Sequence, residues 1–351
     1  MTDRSALIPG LRWTTLSTVL SFVLSFVQTA ILARLLSKTD FAWVAIAAVF
    51  VNIGLHLQSA GINAAIIQRP HNSHEQLSAL YWLNLLIGIT LLSLGAGIAW
   101  GISEFYQSST LWQIFMWYNL TFVANAFGVQ YKALLQKEFR FRALAIIEVI
   151  ANMAGFTVAV LGAWQGWGAL ALVAGYLTKY FTESLGALII GLQSFIPALQ
   201  FKMHEIRSYG QFGAIFTAER LVTHFVSQLD VLLISRWLGM DATGVYDVFK
   251  RVLARPSVLL NISIEKVAFP VLSELQKDNQ KIARTYYKLL NISTVIHLPI
   301  YVLATVLAPW LVSWYFGAAW TPHIATFQAL CGFVIVFAWM NPVESLLLAK
   351  G

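Results

Sequence analysis

Long apolar stretches are the feature that most constrains how this chain can fold. A helix needs about 20 apolar residues to cross a bilayer. Of the 351 residues, 58% are hydrophobic and only 11% are charged, whereas soluble domains carry about 25% charged residues. A multi-pass membrane protein is therefore predicted, and a water-soluble enzyme is excluded. The ten predicted spans are 13–34, 41–66, 79–102, 112–135, 143–163, 168–191, 209–235, 246–273, 289–312 and 324–349.

The distribution of Lys and Arg around these spans predicts their orientation. If the N-terminus is cytoplasmic, fourteen of these bases fall in inner segments and three in outer segments. Basic residues mark the cytoplasmic side of membrane proteins. The spans are predicted to be helical, because the sustained alternation of a membrane β-barrel is missing. We therefore expect an all-α protein with ten transmembrane helices and a cytoplasmic N-terminus.

A short internal repeat predicts two pseudo-symmetric lobes. Arg34 matches Arg236 at an offset of 202 residues, and each follows a helix that begins on the inner side. Parallel repeats of this kind build many transporters, although chance is the alternative for so short a match. The predicted lobes are 1–195, with helices 1–6, and 196–351, with helices 7–10. A complete second lobe needs two further helices, so we expect either a truncated product or a piece of a longer protein.

Five motifs along the chain resemble those of a known family. They are residues 33–37 (ARLLS), 65–69 (AIIQR), 133–141 (ALLQKEFRF), 166–170 (GWGAL) and 267–273 (VAFPVLS). With these motifs in order, the chain resembles bacterial polysaccharide exporters of the Wzx type, particularly the colanic-acid-exporter-like branch. Those exporters share a superfamily with the MATE multidrug exporters and the lipid II flippases.

The resemblance implies a fold, an activity and partners. It implies two six-helix lobes around a central cavity in the bacterial cytoplasmic membrane. The implied substrate is an oligosaccharide on undecaprenyl pyrophosphate, flipped to the outer leaflet for O-antigen, capsule or exopolysaccharide synthesis. The partners would be this lipid-linked oligosaccharide, membrane lipids and other polysaccharide-assembly proteins. No cofactor is implied, and nucleic acid is not expected because the basic loops are juxtamembrane.

Charges inside the predicted spans single out a candidate site. Each costs roughly 2.5–3.5 kcal/mol at the centre of a helix, so such residues pair, reach the interface or line a wet cavity. In the eighth span, Asp247, Arg251 and Arg255 recur every four residues on one face. Lys250 lies beside them. Arg and Lys suit phosphate oxygens, so a cationic cavity wall that binds pyrophosphate is favoured, with interhelical ion pairing as the alternative.

Other charges in the spans extend this hypothesis. Arg220 and Lys179 lie near the predicted midplane and are candidates for the same cavity. Lys179 could instead pair with Glu183, four residues further along the helix. Three acids are candidates for coupling to a proton or a sodium ion, with structural ion pairing as the alternative: Glu148, Glu219 and Asp230.

Motifs for catalysis, nucleotides and metals are missing from the sequence. Neither GxxxxGK[ST] nor HExxH occurs, and Cys331 is the single cysteine. We therefore expect no enzyme, no ATP hydrolysis and no metal site. The alternatives are a MATE-like cation-coupled drug exporter, a membrane polysaccharide polymerase or ligase, and a non-transporting fragment. A drug exporter would favour an acidic, aromatic cavity, and a polymerase would need large outer loops.

Overall fold

The computed structural model describes residues 4–69, 71–199, 221–275 and 278–350. These residues are largely helical and contain no β-strand. A π-helical turn at Val312–Phe316 and a 3-10 helix at Ala318–His323 precede the last helix. The α-helices are α1 Arg4–Leu35, α2 Lys38–Gln68, α3 His74–Tyr106, α4 Ser109–Ala126, α5 Val129–Lys137, α6 Phe141–Trp164, α7 Ala169–Gly191, α8 221–237, α9 Gly239–Glu274, α10 Asn279–Val306, α11 Ala308–Leu311 and α12 Ile324–Lys350.

Six helical stretches in the described part of the chain are long and apolar enough to cross a membrane. They are Arg12–Leu35, Lys38–Gln58, His74–Tyr106, Phe141–Trp164, Gln280–Val306 and Ala318–Met340. The prediction of an all-α protein with membrane-spanning helices is confirmed. The full number of ten spans stays a prediction. Polar side chains interrupt some of the other candidates; α9, for example, carries Asp247, Lys250, Arg251 and Arg255.

The chain divides into two compact units, residues 1–244 and 245–351. In the first unit, α6 and α7 cross closely at Gly155 and Gly175. A Cβ atom on Gly155 would lie 2.7 Å from the carbonyl oxygen of Gly175, and a Cβ atom on Gly175 would lie 2.8 Å from the carbonyl oxygen of Gly155. Small residues of this kind let membrane helices approach one another. The predicted lobe boundary at residue 195 stays a prediction.

The predicted span 112–135 is wrong as one continuous helix. The chain breaks between α4 and α5, at Phe127 and Gly128. A Cβ atom on Gly128 would lie 2.3 Å from the Cα atom of Ser184 in α7. No larger side chain fits this contact, so the break coincides with a close approach of α7 that an apolar run of sequence does not reveal.

The predicted span 289–312 is interrupted as well. Here α10 ends at Val306, three residues before Pro309, which has no N–H to donate to the carbonyl oxygen of Thr305. The Nε2 atom of Gln328 in α12 donates to that oxygen instead, at 3.1 Å. The backbone N–H of Leu307 also donates to the Thr305 oxygen, so the cap and the Gln328 side chain together satisfy it.

The start of α10 is fixed by a polar cap. The Oδ1 atom of Asp278 accepts hydrogen bonds from the backbone nitrogens of Gln280, at 3.1 Å, and Lys281, at 3.0 Å. The Lys281 ammonium lies 3.3 Å from the same carboxylate. The hydrogen bonds from the backbone and side chain of Lys281 hold the pKa of Asp278 below its usual range. The exposed Asp278–Lys281 pair serves below as a control for the more buried Asp247–Arg251 pair.

A methyl group at the α4–α5 break should destabilise the first unit. Gly128→Ala is expected to cost about 1–3 kcal/mol, because the added Cβ meets backbone and a well-packed site cannot relax. Gly97→Ala in α3 is the control, since a Cβ there has no neighbour within 4 Å. Thermal unfolding of the purified protein in detergent checks this, and equal melting temperatures for the two variants would contradict it.

Candidate functional site

The basic stripe on α9 begins with an ion pair. The carboxylate of Asp247 binds the guanidinium of Arg251, one turn further along the helix. Asp247 is 8% exposed, and the side chain of Arg251 is 34% exposed. The structure thus forms the pairing expected from the four-residue spacing. Asp247 therefore balances the positive charge of Arg251.

Two further bases continue the stripe. The Nζ atom of Lys250 lies 5.6 Å from the ring centroid of Tyr246, which is within range of a cation–π interaction. Arg255 is half-buried and lies one turn beyond Arg251. The stripe, defined as Asp247, Lys250, Arg251 and Arg255, therefore carries three bases and one acid within the second unit. Such a surface can bind an anion with charge-assisted hydrogen bonds.

The other predicted cavity bases lie elsewhere. Lys179 belongs to α7 in the first unit, and its Cβ lies 3.0 Å from the position that a Cβ atom on Gly155 would take. Its side chain therefore starts at the α6–α7 contact and is half-buried. Arg220 and Glu219 lie outside the described residues. Their place in a common cavity stays a prediction.

The remaining predicted coupling acids make local hydrogen bonds. Glu148 in α6 accepts one from the hydroxyl of Ser21 in α1, at 3.1 Å. That hydroxyl in turn accepts from the Nδ2 atom of Asn152, at 2.8 Å. Asp230 accepts from the backbone nitrogen of Val231, at 2.8 Å. The contact of Glu148 joins α1 and α6 through a hydroxyl group. Ion coupling by either acid and its alternative, structural ion pairing, stay predictions.

Sequence reasoning missed a chain of polar residues across the first unit. Glu183 in α7 pairs with Lys132 in α5, at 3.1 Å, and not with Lys179. The Lys132 ammonium also lies 3.4 Å from the Oδ1 atom of Asn125, whose Nδ2 atom donates to Gln58 at 2.9 Å. We call Gln58, Asn125, Lys132 and Glu183 the Lys132 chain. The sequence did show polar residues within otherwise apolar spans. Spacing along one helix could not pair Lys132 with Glu183, however, because they lie 51 positions apart.

Solved structures show which fold these helices form. An inward-facing multidrug resistance MATE family transporter superposes with a TM-score of 0.66, covering 94% of this chain and 81% of that one. The lipid II flippase MurJ in an inward closed conformation gives 0.68, covering 96% and 75%. Sequence identity is 13% in both cases. The chain is thus a multi-pass membrane protein with the fold of the MATE and MurJ transporters.

The particular family follows from sequence. Residues 31–325 match the family model described as polysaccharide biosynthesis protein, and the chain belongs to that family. The lipopolysaccharide biosynthesis protein WzxC of Escherichia coli (strain K12) is 31% identical over 350 residues, covering 100% of this chain and 71% of WzxC. The teichuronic acid biosynthesis protein TuaB of Bacillus subtilis (strain 168) is 27% identical over 348 residues, covering 98% and 71%.

A third relative is named as a transport protein. The succinoglycan biosynthesis transport protein ExoT of Rhizobium meliloti (strain 1021) is 24% identical over 309 residues, covering 88% of this chain and 62% of ExoT. Together these relatives confirm the resemblance to Wzx-type exporters that the five sequence motifs indicated.

Removing the charge of Asp247 should destabilise the second unit. Asp247→Asn keeps the shape but loses the ion pair, at an expected cost of about 1–2 kcal/mol. This cost lies between the contributions that exposed ion pairs and fully buried ion pairs make to the free energy of unfolding. Lys281→Gln is the control, because its side chain is 68% exposed and its pair with Asp278 should contribute little. Thermal unfolding in detergent compares them, and a larger loss in Lys281→Gln would contradict the expectation.

Proposed function

We propose that this chain flips a lipid-linked polysaccharide precursor across the bacterial cytoplasmic membrane. The supporting relatives are named for lipopolysaccharide, teichuronic acid and succinoglycan synthesis, and one of them for transport. A fold shared with a lipid II flippase supports the same activity. The observation on the chain itself that carries the proposal is the α9 stripe, with three bases against one acid in a membrane protein of this family.

The chemistry of the stripe supports an anionic substrate. An oligosaccharide on undecaprenyl pyrophosphate has an anionic head that is costly to move through hydrocarbon. Arg251 and Arg255 offer forked donors to its phosphate oxygens, and Lys250 adds a point charge. Arg220 and Lys179 would extend this cationic cavity. The polyprenyl tail stays in the bilayer while the head crosses.

The proposed mechanism is alternating access by two lobes around the substrate. The lobes are 1–195 and 196–351, with ten transmembrane helices and a cytoplasmic N-terminus. A proton or sodium ion supplies the driving force, with Glu148, Glu219 and Asp230 as its candidate carriers. The chain moves its substrate and performs no reaction on it, so it is a transporter and not a polymerase or ligase.

Export of a drug is the nearest competing function, since the MATE fold serves that activity too. Fold similarity alone does not separate the two, because one fold hosts several functions. The family match and the relatives favour the polysaccharide substrate. The basic character of α9 points the same way, since a cationic drug would be repelled by it.

Loss of one stripe arginine should strongly lower export while the protein is still made. Arg255→Ala is expected to lower export about ten- to a hundred-fold, because a hydrogen bond to a charged group contributes about 1.5–3 kcal/mol. The assay is surface polysaccharide in cells whose only exporter is this chain, with membrane expression measured in parallel. Arg255→Lys should keep part of the activity, and Lys281→Gln all of it. Normal export by Arg255→Ala would refute the site.

A further inference from the structure

The part of α9 that carries Arg251 and Arg255 contains a proline. Pro256 has no N–H to donate to the carbonyl oxygen of Val252, and its ring crowds that oxygen. One backbone hydrogen bond is therefore missing from the stretch of helix that sets the spacing of the two guanidinium groups. Membrane helices tolerate such a proline where groups on neighbouring helices compensate for the lost bond.

Tyr301 of α10 contacts α9 at this point. Its hydroxyl donates to the carbonyl oxygen of Leu253, at 2.6 Å. The backbone N–H and the side chain of Ser257 lie within hydrogen-bonding range of the same hydroxyl. In an α-helix, the N–H of Ser257 is the regular donor to Leu253. The Tyr301 hydroxyl therefore bridges both ends of the backbone hydrogen bond next to the one that Pro256 removes.

The ring of Tyr301 is fixed by its surroundings. Tyr301 is 1% exposed, and its ring stacks on that of His297 one turn earlier, with 5° between the two planes. The Nδ1 atom of His297 donates to the carbonyl oxygen of Ser293, at 2.8 Å. The Ser293 hydroxyl donates to the carbonyl oxygen of Ala338 in α12, at 3.2 Å. A buried, well-packed ring thus presents its hydroxyl to α9.

This contact supports α9 from the face opposite the arginines. Successive helical residues turn by about 100°, so Leu253 lies about 160° around the helix from both Arg251 and Arg255. Leu253 is 5% exposed, whereas the side chain of Arg251 is 34% exposed. Tyr301 therefore holds the buried face of the helix, behind the residues that would bind an anion.

We propose that Tyr301 is a positioning residue for the stripe. Its hydroxyl fixes the backbone of α9 at Pro256 and so sets the spacing of the Arg251 and Arg255 guanidinium groups. Two linked phosphate groups bind best to guanidinium groups held at a fixed distance, because forked donors need a defined geometry. The inference rests on the proposed function, in which the stripe binds pyrophosphate. Without the hydroxyl, binding must also order the helix, which lowers the affinity.

Pyrophosphate binding to the purified full chain in detergent tests this role. Isothermal titration calorimetry with inorganic pyrophosphate measures the affinity. Tyr301→Phe removes one oxygen atom and keeps the ring, so it should bind about three- to tenfold more weakly, the usual effect of one lost hydrogen bond. Tyr287→Phe is the matched control on the same helix. Tyr287 is 62% exposed, and this variant should bind like the wild type.

Pro256→Ala separates positioning from simple packing. Alanine restores the missing N–H, so the helix should no longer depend on the Tyr301 hydroxyl. In a Pro256→Ala chain, the further change Tyr301→Phe should therefore alter the affinity by less than about twofold. Equal losses of affinity with and without the proline would overturn the proposal. Wild-type affinity in Tyr301→Phe would overturn it as well.

Hydrogen exchange of the backbone amides gives an independent readout. In Tyr301→Phe, exchange should become faster in residues 251–257 of α9 and stay unchanged elsewhere. No change in that segment, or faster exchange throughout the chain, would overturn the proposal. Faster exchange there with unchanged pyrophosphate affinity would also overturn the positioning role. A wild-type chain that binds no pyrophosphate would instead refute the proposed anion site, and any positioning role with it, so the two failures are distinguishable.

Discussion

The cost of placing charge in hydrocarbon governs this chain. Every ionic group in a span must find a partner, reach the interface or line a wet cavity. Asp247 and Arg251 solve the problem within one turn of α9. Lys132 and Glu183 pair between α5 and α7, next to the break between α4 and α5. The stripe on α9 combines three bases with one acid, a composition that suits the proposed anionic substrate.

Features that depend on local sequence could be predicted well. Apolar length predicted an all-helical membrane protein, and the four-residue spacing predicted the Asp247–Arg251 pair, because both depend on sequence within one helix. The motifs also identified the family, which the relatives confirm. The stripe on α9 and its excess of bases are likewise visible in the amino-acid sequence alone.

Features that depend on contacts between helices could not be predicted. The helix break at Gly128 lies where the backbone of α7 approaches at Ser184, 56 positions away. Glu183 has a neighbour of opposite charge one turn earlier, yet it pairs with Lys132 across helices. Pro309 lies next to the end of α10, but the hydrogen bond from Gln328 to Thr305 depends on tertiary structure. The polar residues of the Lys132 chain are visible within the predicted apolar spans, but the sequence does not show which of them pair.

Recognition of an anionic lipid head by the basic stripe is the central claim. The most direct measurement compares binding of two lipids to the purified chain: a polyprenyl-pyrophosphate oligosaccharide and the same oligosaccharide on an uncharged polyprenol. We expect the pyrophosphate lipid to bind at least about tenfold more tightly, since each charge-assisted hydrogen bond to it contributes about 1.5–3 kcal/mol. This preference should shrink as salt screens exposed charges. Equal affinity for both lipids at low salt would contradict the central claim.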